Sequence, residues 1–489
     1  MVVRGRSRRN SITASPSKSW YASIMSPFVA EYITPQGSVG IKQYRYSGVN
    51  DSVYYKYVSG PWAQFWVDRL PQWVAPNVLT LIGFFNVLCA YALVWYYCPT
   101  FTESAPSWVW YMVSFLLFTY RTLDNMDGKQ ARRLGCGSPL GLSLDHGCDA
   151  VATVLIPAIG CAYLELGQTA SSVVLMVTPP IVAFFLNWEE FYTGTFYLGV
   201  FNAVDEGGFL TDLTFLSAGI LGPQRQSQFA SSIILDSVPI DFLASIYPTG
   251  IRVKDVWVIF MVVGAVVTII PAVVKVVRIE KWKKAMYHEF GDDHPVVVGN
   301  QNNFSDDDGS PRPWSARHYK GKSPRVRDAL GALLPVIIGS GLWVGAVYFP
   351  SRQSGILLEH TRTIIWLGVM LFSKLITHLH IAHVCGDPYY QWRKTFMIPV
   401  SLITINSLYS DFLSPTGDTI VDEFALLTVC AIVATMSWMH MSYSVVCGMC
   451  DALDIPFLTV PEKCLKEYMK KVTKPPRRTA TRKPKKSTQ

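Results

Sequence analysis

The stretch between residues 124 and 149 constrains the fold more than any other part of the sequence. It reads DNMDGKQARRLGCGSPLGLSLDHGCD and carries four aspartates, at positions 124, 127, 145 and 149. On a helix, residues three, four or seven positions apart share a face, so each pair of aspartates lines one face. The RRLGCGSP between the pairs is rich in turn formers. The pattern predicts two antiparallel helices joined by a short turn, with four carboxylates meeting between them.

Four carboxylates that meet near hydrocarbon repel one another, and each costs about 2.5–3.5 kcal/mol to place there. Divalent metal ions offset this cost, because hard oxygen ligands suit hard cations such as Mg²⁺ or Mn²⁺. Gly128, Ala131 and Gly141 keep the two faces free of bulk and leave room for a ligand. Arg132 can donate to a phosphate at the rim of this space. Together these features predict a metal-bound diphosphate ligand.

The spacing of these residues resembles the motif of the CDP-alcohol phosphotransferase family. Every defined position agrees: Asp124-x2-Asp127-Gly128-x2-Ala131-Arg132-x8-Gly141-x3-Asp145-x3-Asp149. Four segments are similar to the eukaryotic choline/ethanolamine phosphotransferases: WVAPNVLTLIG (73–83), DGKQARR (127–133), SPLG (138–141) and DHGCD (145–149). A weaker resemblance lies in IAH at 381–383, so the similarity extends over about residues 44–450.

The resemblance implies a reaction in which an alcohol attacks the β-phosphorus of a CDP-alcohol and CMP leaves. It implies a two-metal site that neutralises the diphosphate, with four ligands: Asp124, Asp127, Asp145 and Asp149. The acceptor hydroxyl must lose a proton, and His146 is a candidate for the general base. Asp149 is the rival candidate for this role.

Candidate contacts to the CDP-alcohol come from the same stretch and from the helix before it. Arg132 and Lys129 are candidates for the diphosphate, although a lysine at a helix end often faces lipid headgroups instead. The small residues Gly128, Ala131 and Gly141 allow close approach of the ribose and the base. Asn77 resembles the asparagine that the family places near the nucleotide, with helix capping after Pro76 as the alternative.

A second acidic group follows the predicted fourth span, with no lysine or arginine between its members. Its residues are Trp188, Glu189, Glu190, Asp205 and Glu206. Carboxylates and aromatic rings bind ammonium groups, and the WE at 188–189 and EG at 206–207 resemble the same subgroup. Glu189 and Glu206 are therefore candidates for the head-group pocket, and an exposed acidic loop is the alternative.

Three histidines, His378, His380 and His383, lie close together in the HLHIAH of a later predicted helix. Their spacing alone permits zinc binding, but no cysteine or carboxylate completes the set. Hydrogen bonds between helices or lipid-facing polarity are therefore the favoured interpretation. Lys374, one turn earlier, is a candidate to contact a headgroup or to neutralise the acidic region.

Half of the 489 residues are apolar, the mean hydropathy is +0.24, and several apolar runs reach 18 residues or more. These features predict an all-α polytopic membrane protein with an N-terminal interfacial helix around residues 60–72. About ten transmembrane helices are expected, near 76–97, 106–125, 140–164, 169–194, 208–222, 253–277, 327–349, 362–384, 394–411 and 421–448. The ten scattered cysteines are interpreted as buried thiols.

The chain divides into a transmembrane catalytic domain over 76–277 and a second group of four helices over 327–450. The remaining segments are a flexible arm (1–43), an interfacial region (44–75), a partly disordered loop (278–326) and a basic tail (451–489). Because Lys and Arg concentrate in cytosolic segments, both termini and the active site are predicted to be cytosolic. The basic tail favours contact with anionic lipid over nucleic-acid binding.

The resemblance implies transfer of phosphocholine or phosphoethanolamine from CDP-choline or CDP-ethanolamine to diacylglycerol. It further implies a homodimer among membrane lipids of the endoplasmic reticulum or Golgi. One alternative is an enzyme that uses CDP-diacylglycerol, of the phosphatidylinositol-synthase type. Another is a divalent-cation transporter, but transporters place such acids near the bilayer midplane, whereas these flank a predicted cytosolic turn. An inactive scaffold is disfavoured by the intact motif.

Overall fold

The computed structural model describes four segments of the chain, at 32–235, 250–290, 326–348 and 360–472. Three segments for which the sequence predicts an arm, a disordered loop and a tail lie wholly or partly outside the described residues, at 1–31, 291–325 and 473–489.

The first half of the chain is built from helices joined by short connections. These helices are α1 (Pro35–Gln43), α2 (Gly60–Arg69), α3 (Pro76–Tyr97), α4 (Ser107–Leu134), α5 (Pro139–Tyr163), α6 (Ala170–Thr193), α7 (Asp205–Leu221) and α8 (Pro223–Ser231). A π-helical turn at Tyr55–Ser59 precedes α2. Strands β1 (Gly48–Asn50) and β2 (Phe196–Leu198) pair in parallel and join the N-terminal segment to the end of α6.

The second half continues in the same way. Strands β3 (Ile233–Leu235) and β4 (Ile251–Arg252) pair antiparallel. The helices that follow are α9 (Val253–Phe290), α10 (Val326–Gly331), α11 (Leu334–Tyr348), α12 (Thr361–Cys385), α13 (Lys394–Leu408), α14 (Glu423–Leu453) and α15 (Glu462–Val472).

Within the described ranges, eight helical segments are long and apolar enough to cross a membrane. They correspond to α3, α5, α6, α9, α10–α11, α12, α13 with its π-helical end, and α14. The predicted class, an all-α polytopic membrane protein, is therefore confirmed. The two other predicted spans are also helices, but α4 ends in the charged motif and α7 has only 17 residues.

Helix α12 lies at the centre of the protein. It packs against α5, α6, α14 and α1, and nearly all of its side chains are buried. The four helices around it bury its polar residues Lys374, His380 and His383 as completely as its leucines. Polar groups on this helix must therefore find partners inside the protein.

Helix α1 corrects the predicted extent of the N-terminal arm, because residues 35–43 are folded and packed. Thr34 caps the helix by accepting a hydrogen bond from the Gly37 amide at 2.8 Å. Its hydroxyl also donates to Asp387 Oδ2 at 3.0 Å, beyond the end of α12. A Cβ at Gly40 would overlap the carbonyl oxygen of Cys385. The absence of a side chain at Gly40 thus allows α1 to approach the end of α12.

The predicted interfacial helix is present as α2, and it is held against α4. Gln130 donates to the Val74 carbonyl at 3.1 Å, and Arg133 donates to the carbonyls of Val67 and Leu70 at 2.5 and 2.9 Å. The opposite face of α2 exposes an aromatic cluster of Trp62, Phe65 and Trp66. Exposed aromatic clusters of this kind are typical of a membrane interface.

We expect Gly40→Ala to lower the free energy of unfolding by about 2 kcal/mol, because the new methyl group forces α1 away from α12. Thermal unfolding of the purified protein in detergent measures the effect. Gly264→Ala is the matched control, since a Cβ there meets nothing within 4 Å. Equal stability of the two variants would show that the contact between α1 and α12 is unimportant.

Candidate active site

The turn between α4 and α5 has the local structure that its sequence predicts. Gly135 ends α4 with a φ of +66°, a conformation that glycine adopts without strain. Ser138 then caps α5 by accepting from the Gly141 amide at 3.2 Å, and Pro139 occupies the first helical position. The two helices leave this turn with their aspartates, and both pack against α3.

The turn brings the aspartates together. Single carboxylate oxygens of Asp124, Asp145 and Asp149 lie within 4.8 Å of one another. Asp127 is buried and lies close enough to repel Asp145 and Asp149 electrostatically. The predicted meeting of the carboxylates from both helices is thus seen in the structure.

Neutral hydroxyl groups hold two of the four carboxylates. Tyr120, on α4, donates to Asp149 Oδ1 at 2.6 Å, and Thr80 on α3 donates to Asp127 Oδ2. Asp145 Oδ1 is buried and has no hydrogen-bond partner among the described residues. The neighbouring cation Arg121 pairs with Asp212 at 3.0 Å. A buried carboxylate without a partner is costly, so an all-oxygen set at this spacing fits a divalent cation such as Mg²⁺ or Mn²⁺.

Of the small residues of the motif, Gly141 lies beside Asn77 and Gly128 beside Arg132. A Cβ at Gly141 would lie 3.2 Å from Asn77 Oδ1, and a Cβ at Gly128 would lie 3.4 Å from the Arg132 guanidinium. Ala131 is half-buried on the same helix as Gly128. Helix α3 is capped at Ala75 without a side-chain bond, so Asn77 does not cap it. Asn77 donates instead to the Phe457 carbonyl at 2.8 Å.

The polar side chains of the KQARR segment (129–133) of α4 fall into two groups, one bonded within the protein and one open to a ligand. Gln130 and Arg133 hold the chain that leaves α2, as described above. Arg132 is exposed beside Gly128. Lys129 lines a cleft of about 550 Å³ together with Tyr55, whose ring centroid lies 5.5 Å from Lys129 Nζ. Arg132 and Lys129 are thus the members of this segment that remain open to a ligand.

The two head-group candidates both have protein partners. Glu189 is buried, and its Oε1 accepts from Lys275 Nζ on α9 at 2.6 Å. Glu206 accepts from the Ser52 hydroxyl at 2.7 Å and from the Tyr54 and Asn202 amides at 3.1 and 2.9 Å. Burial alone would raise the pKa of Glu206, but these hydrogen bonds outweigh it and lower the pKa. Glu206 therefore carries a negative charge at neutral pH.

His146 lies in a second polar cluster beside the aspartates. Its Nδ1 lies 3.4 Å from Asn187 Oδ1 on α6, and its ring centroid lies 4.2 Å from that of His380 on α12. One donor atom each of His146, Glu190 and His380 lies within 4.8 Å of the others. His383 Nε2 lies 3.6 Å from Glu190 Oε1.

This cluster corrects the interpretation of the three histidines. They do not act together, because His378 packs near Tyr32 at 5.5 Å while His380 and His383 face Glu190. The carboxylate that seemed to be missing comes from α6, almost 200 residues earlier. The adjacent glutamates of the apolar WEEF segment were the available signal, but their sequence neighbours do not reveal which helix faces Glu190.

Sequence reasoning also missed Tyr46, which lies two residues before β1. Its ring is half-exposed. The pKa of its hydroxyl is raised by desolvation first, and then by the negative charges of Glu190 and Asp145. The Arg132 guanidinium acts in the opposite direction. Tyr46 is thus within electrostatic range of both clusters.

Comparison with known proteins assigns the part of the chain that contains this site. Residues 73–195 match the sequence profile of the family described as CDP-alcohol phosphatidyltransferase. The chain contains a CDP-alcohol phosphatidyltransferase domain. The domain includes the four aspartates, Asn77 and His146, and it ends before the later helices that pack over it.

Relatives extend the similarity beyond the domain. The chain is 29% identical to choline/ethanolaminephosphotransferase 1 of Arabidopsis thaliana over 88% of this chain and 99% of that protein. It is 26% identical to uncharacterized CDP-alcohol phosphatidyltransferase class-I family protein 2 of Dictyostelium discoideum over 88% of both. It is 36% identical to ethanolaminephosphotransferase 1 of Homo sapiens over 34% of this chain and 45% of that protein. The predicted resemblance is confirmed.

We expect Asp145→Asn to abolish the stabilisation that Mg²⁺ or Mn²⁺ confers, because it removes a charged ligand from the aspartate site. For the native protein this gain is about 2.7 kcal/mol at a metal concentration of about 100 times Kd. Thermal unfolding with and without metal measures it. Asp68→Asn, on the exposed face of α2, serves as the control and keeps the full gain. If Asp145→Asn also keeps the metal-dependent gain in stability, the metal binds at another site.

Proposed function

We propose that this membrane protein transfers phosphocholine, phosphoethanolamine or both from CDP-choline or CDP-ethanolamine to diacylglycerol. The products are phosphatidylcholine or phosphatidylethanolamine and CMP. The observation that carries the proposal is the aspartate cluster of α4 and α5, in which three carboxylate oxygens lie within 4.8 Å of one another. The relative from Arabidopsis thaliana, which is named for both activities and is matched over nearly its whole length, supports the choice of head groups.

Asp124, Asp127, Asp145 and Asp149 would hold the Mg²⁺ or Mn²⁺ ions. When bound, these ions neutralise the diphosphate charge and stabilise the leaving oxygen. The chain itself contributes Thr80 and Tyr120, whose hydroxyls fix the orientation of two of the carboxylates.

The nucleotide lies in this proposal beside Asn77 and the small residues of the motif. Gly128, Ala131 and Gly141 admit the ribose and the base, because a larger side chain at Gly141 would contact Asn77. Arg132 donates to the diphosphate from the exposed face of α4. Lys129, in the neighbouring cleft, adds positive charge to the same approach.

His146 takes the proton from the acceptor hydroxyl at Nε2. When Nδ1 carries a proton, it donates to Asn187 Oδ1 and leaves the lone pair on Nε2. Asp149 is the rival base, but it already accepts a hydrogen bond from Tyr120 at 2.6 Å. The favoured assignment is therefore His146.

Glu206 is the first candidate for the ammonium head group, and Glu189 is the second. Glu189 already pairs with Lys275, whereas the three partners of Glu206 are neutral.

Diacylglycerol reaches the site sideways from the lipid leaflet, and the active protein is a homodimer of the endoplasmic reticulum or Golgi with a cytosolic active site. Native mass measurement in detergent tests the dimer, and fluorescence microscopy of the tagged chain tests the compartment.

The proposed reaction is tested directly with purified protein in detergent–lipid micelles. Diacylglycerol is supplied with CDP-choline or CDP-ethanolamine, with and without Mg²⁺ or Mn²⁺, and lipid product and CMP are measured. We expect metal-dependent turnover that Asp145→Ala abolishes, and the ratio between donors identifies the head group. Absence of turnover with either donor contradicts the proposal, and CDP-diacylglycerol with inositol is then the next pair to test.

We expect His146→Ala to lower kcat by about 10²- to 10⁴-fold, the range for loss of a general base. The remaining activity should also lose the pH dependence that imidazole imposes on the native protein. Steady-state kinetics between about pH 4.5 and about pH 8.5, a range of about two pH units on either side of the ordinary histidine pKa, measures both. His378→Ala is the control on α12. Near-native turnover of His146→Ala with an unchanged pH profile would transfer the role to Asp149.

We expect Glu206→Gln to raise the KM for the CDP-alcohol about tenfold, equivalent to about 1.4 kcal/mol, with kcat within about twofold of the native value. The cause is the loss of a negative charge beside the ammonium group. Ser52→Ala removes one hydrogen bond to Glu206 but keeps the charge. If both variants raise KM equally, Glu206 acts by holding the loop and not by binding the head group.

A further inference from the structure

The His146–Glu190–His380 cluster has a donor set unlike that of the aspartates. It offers two imidazoles and one carboxylate, contributed by three helices, α5, α6 and α12. Glu190 and His380 are each only 1% exposed. Two nitrogens and one oxygen are the ligands that zinc takes in sites with three protein ligands and an open fourth position.

The unpartnered atoms of this cluster point to a missing cation. Neither carboxylate oxygen of Glu190 and neither ring nitrogen of His380 has a hydrogen-bond partner among the described residues. Buried polar groups normally find partners, and a buried carboxylate without one is particularly costly. One isolated group without a hydrogen-bond partner would carry little weight. Two such side chains in the same cluster indicate a ligand that they share.

The surroundings supply the contacts that usually support a metal ligand. Asn187 Oδ1 lies 3.4 Å from His146 Nδ1, so a proton on Nδ1 leaves Nε2 available. His383 Nε2 lies 3.6 Å from Glu190 Oε1 and can orient this carboxylate. Metal-bound histidines and carboxylates are commonly held by second partners of this kind.

We propose that His146, Glu190 and His380 bind a transition-metal ion of the zinc type. The donor atoms now lie within 4.8 Å of one another, and tetrahedral zinc requires them to close to about 3.4 Å. Imidazole nitrogens favour zinc over Mg²⁺, so this site and the aspartate site select different metals.

Binding at this site inhibits transfer. The ion occupies the lone pair of His146 Nε2, which the proposed general base needs for the acceptor hydroxyl. This consequence rests on the proposed function, whereas binding of the ion does not. Zinc and Mg²⁺ or Mn²⁺ therefore bind at different sites and do not compete. Adding more Mg²⁺ does not reverse the inhibition by zinc.

The test measures zinc content without reference to activity. Full-length protein in detergent is stripped with a chelator, equilibrated with excess Mg²⁺ and a small amount of Zn²⁺, and dialysed. We expect the native protein to retain about one zinc ion per chain. Glu190→Gln, which keeps the side-chain shape, and His380→Phe should retain little. The matched controls, Glu189→Gln and His378→Phe, should retain as much as the native protein.

Three results would overturn the proposal. These are no zinc on the native protein, equal zinc on all variants, or loss of zinc with Asp145→Asn but not with Glu190→Gln. Replacement of zinc by Co²⁺ gives a second readout, because its visible absorption should depend on Glu190 and His380. In the transfer assay, Glu190→Gln should require at least about tenfold more Zn²⁺ for half-inhibition, equivalent to a weakening of about 1.4 kcal/mol.

Discussion

Mutual repulsion of the carboxylates between α4 and α5 is the constraint on which the rest of the structure depends. Bringing them together is unfavourable unless cations are present, so the surrounding protein must hold the two aspartate-bearing helix faces toward each other. The turn at Gly135 and Ser138 connects these helices. Helix α3 supplies Thr80 to one carboxylate and packs against both helices. In the proposed enzyme, divalent cations relieve this repulsion, so the same repulsion would favour their binding.

The sequence was sufficient to predict the parts of the site that are local. Spacings of three and four residues placed the aspartates on helix faces, and the turn residues placed those faces opposite each other. The membrane class followed from the length of the apolar runs. The sequence alone did not decide whether Asn77 caps helix α3. The structure answers this question, because Ala75 occupies the capping position.

Contacts between residues far apart in the sequence could not be predicted from it. The packing of α1 against the end of α12 depends on the missing side chain at Gly40, and nothing in the polar N-terminal sequence indicates that partner. The meeting of Glu190 with His380 joins residues 190 positions apart. Hydrophobic periodicity predicts that a helix is buried, but it does not predict which neighbour buries it. For this reason the histidines of α12 looked isolated in the sequence.

The central position of α12 has a consequence for the order of folding. The chain is synthesised from its N-terminus, and the aspartate helices are complete about 200 residues before α12 begins. During that interval, Glu190 and His146 lack the helix that buries them. Contacts of such wide sequence separation form slowly, and incomplete helical bundles expose surfaces that misassemble. The last helices therefore act as the internal support of a site whose chemistry is encoded near the start.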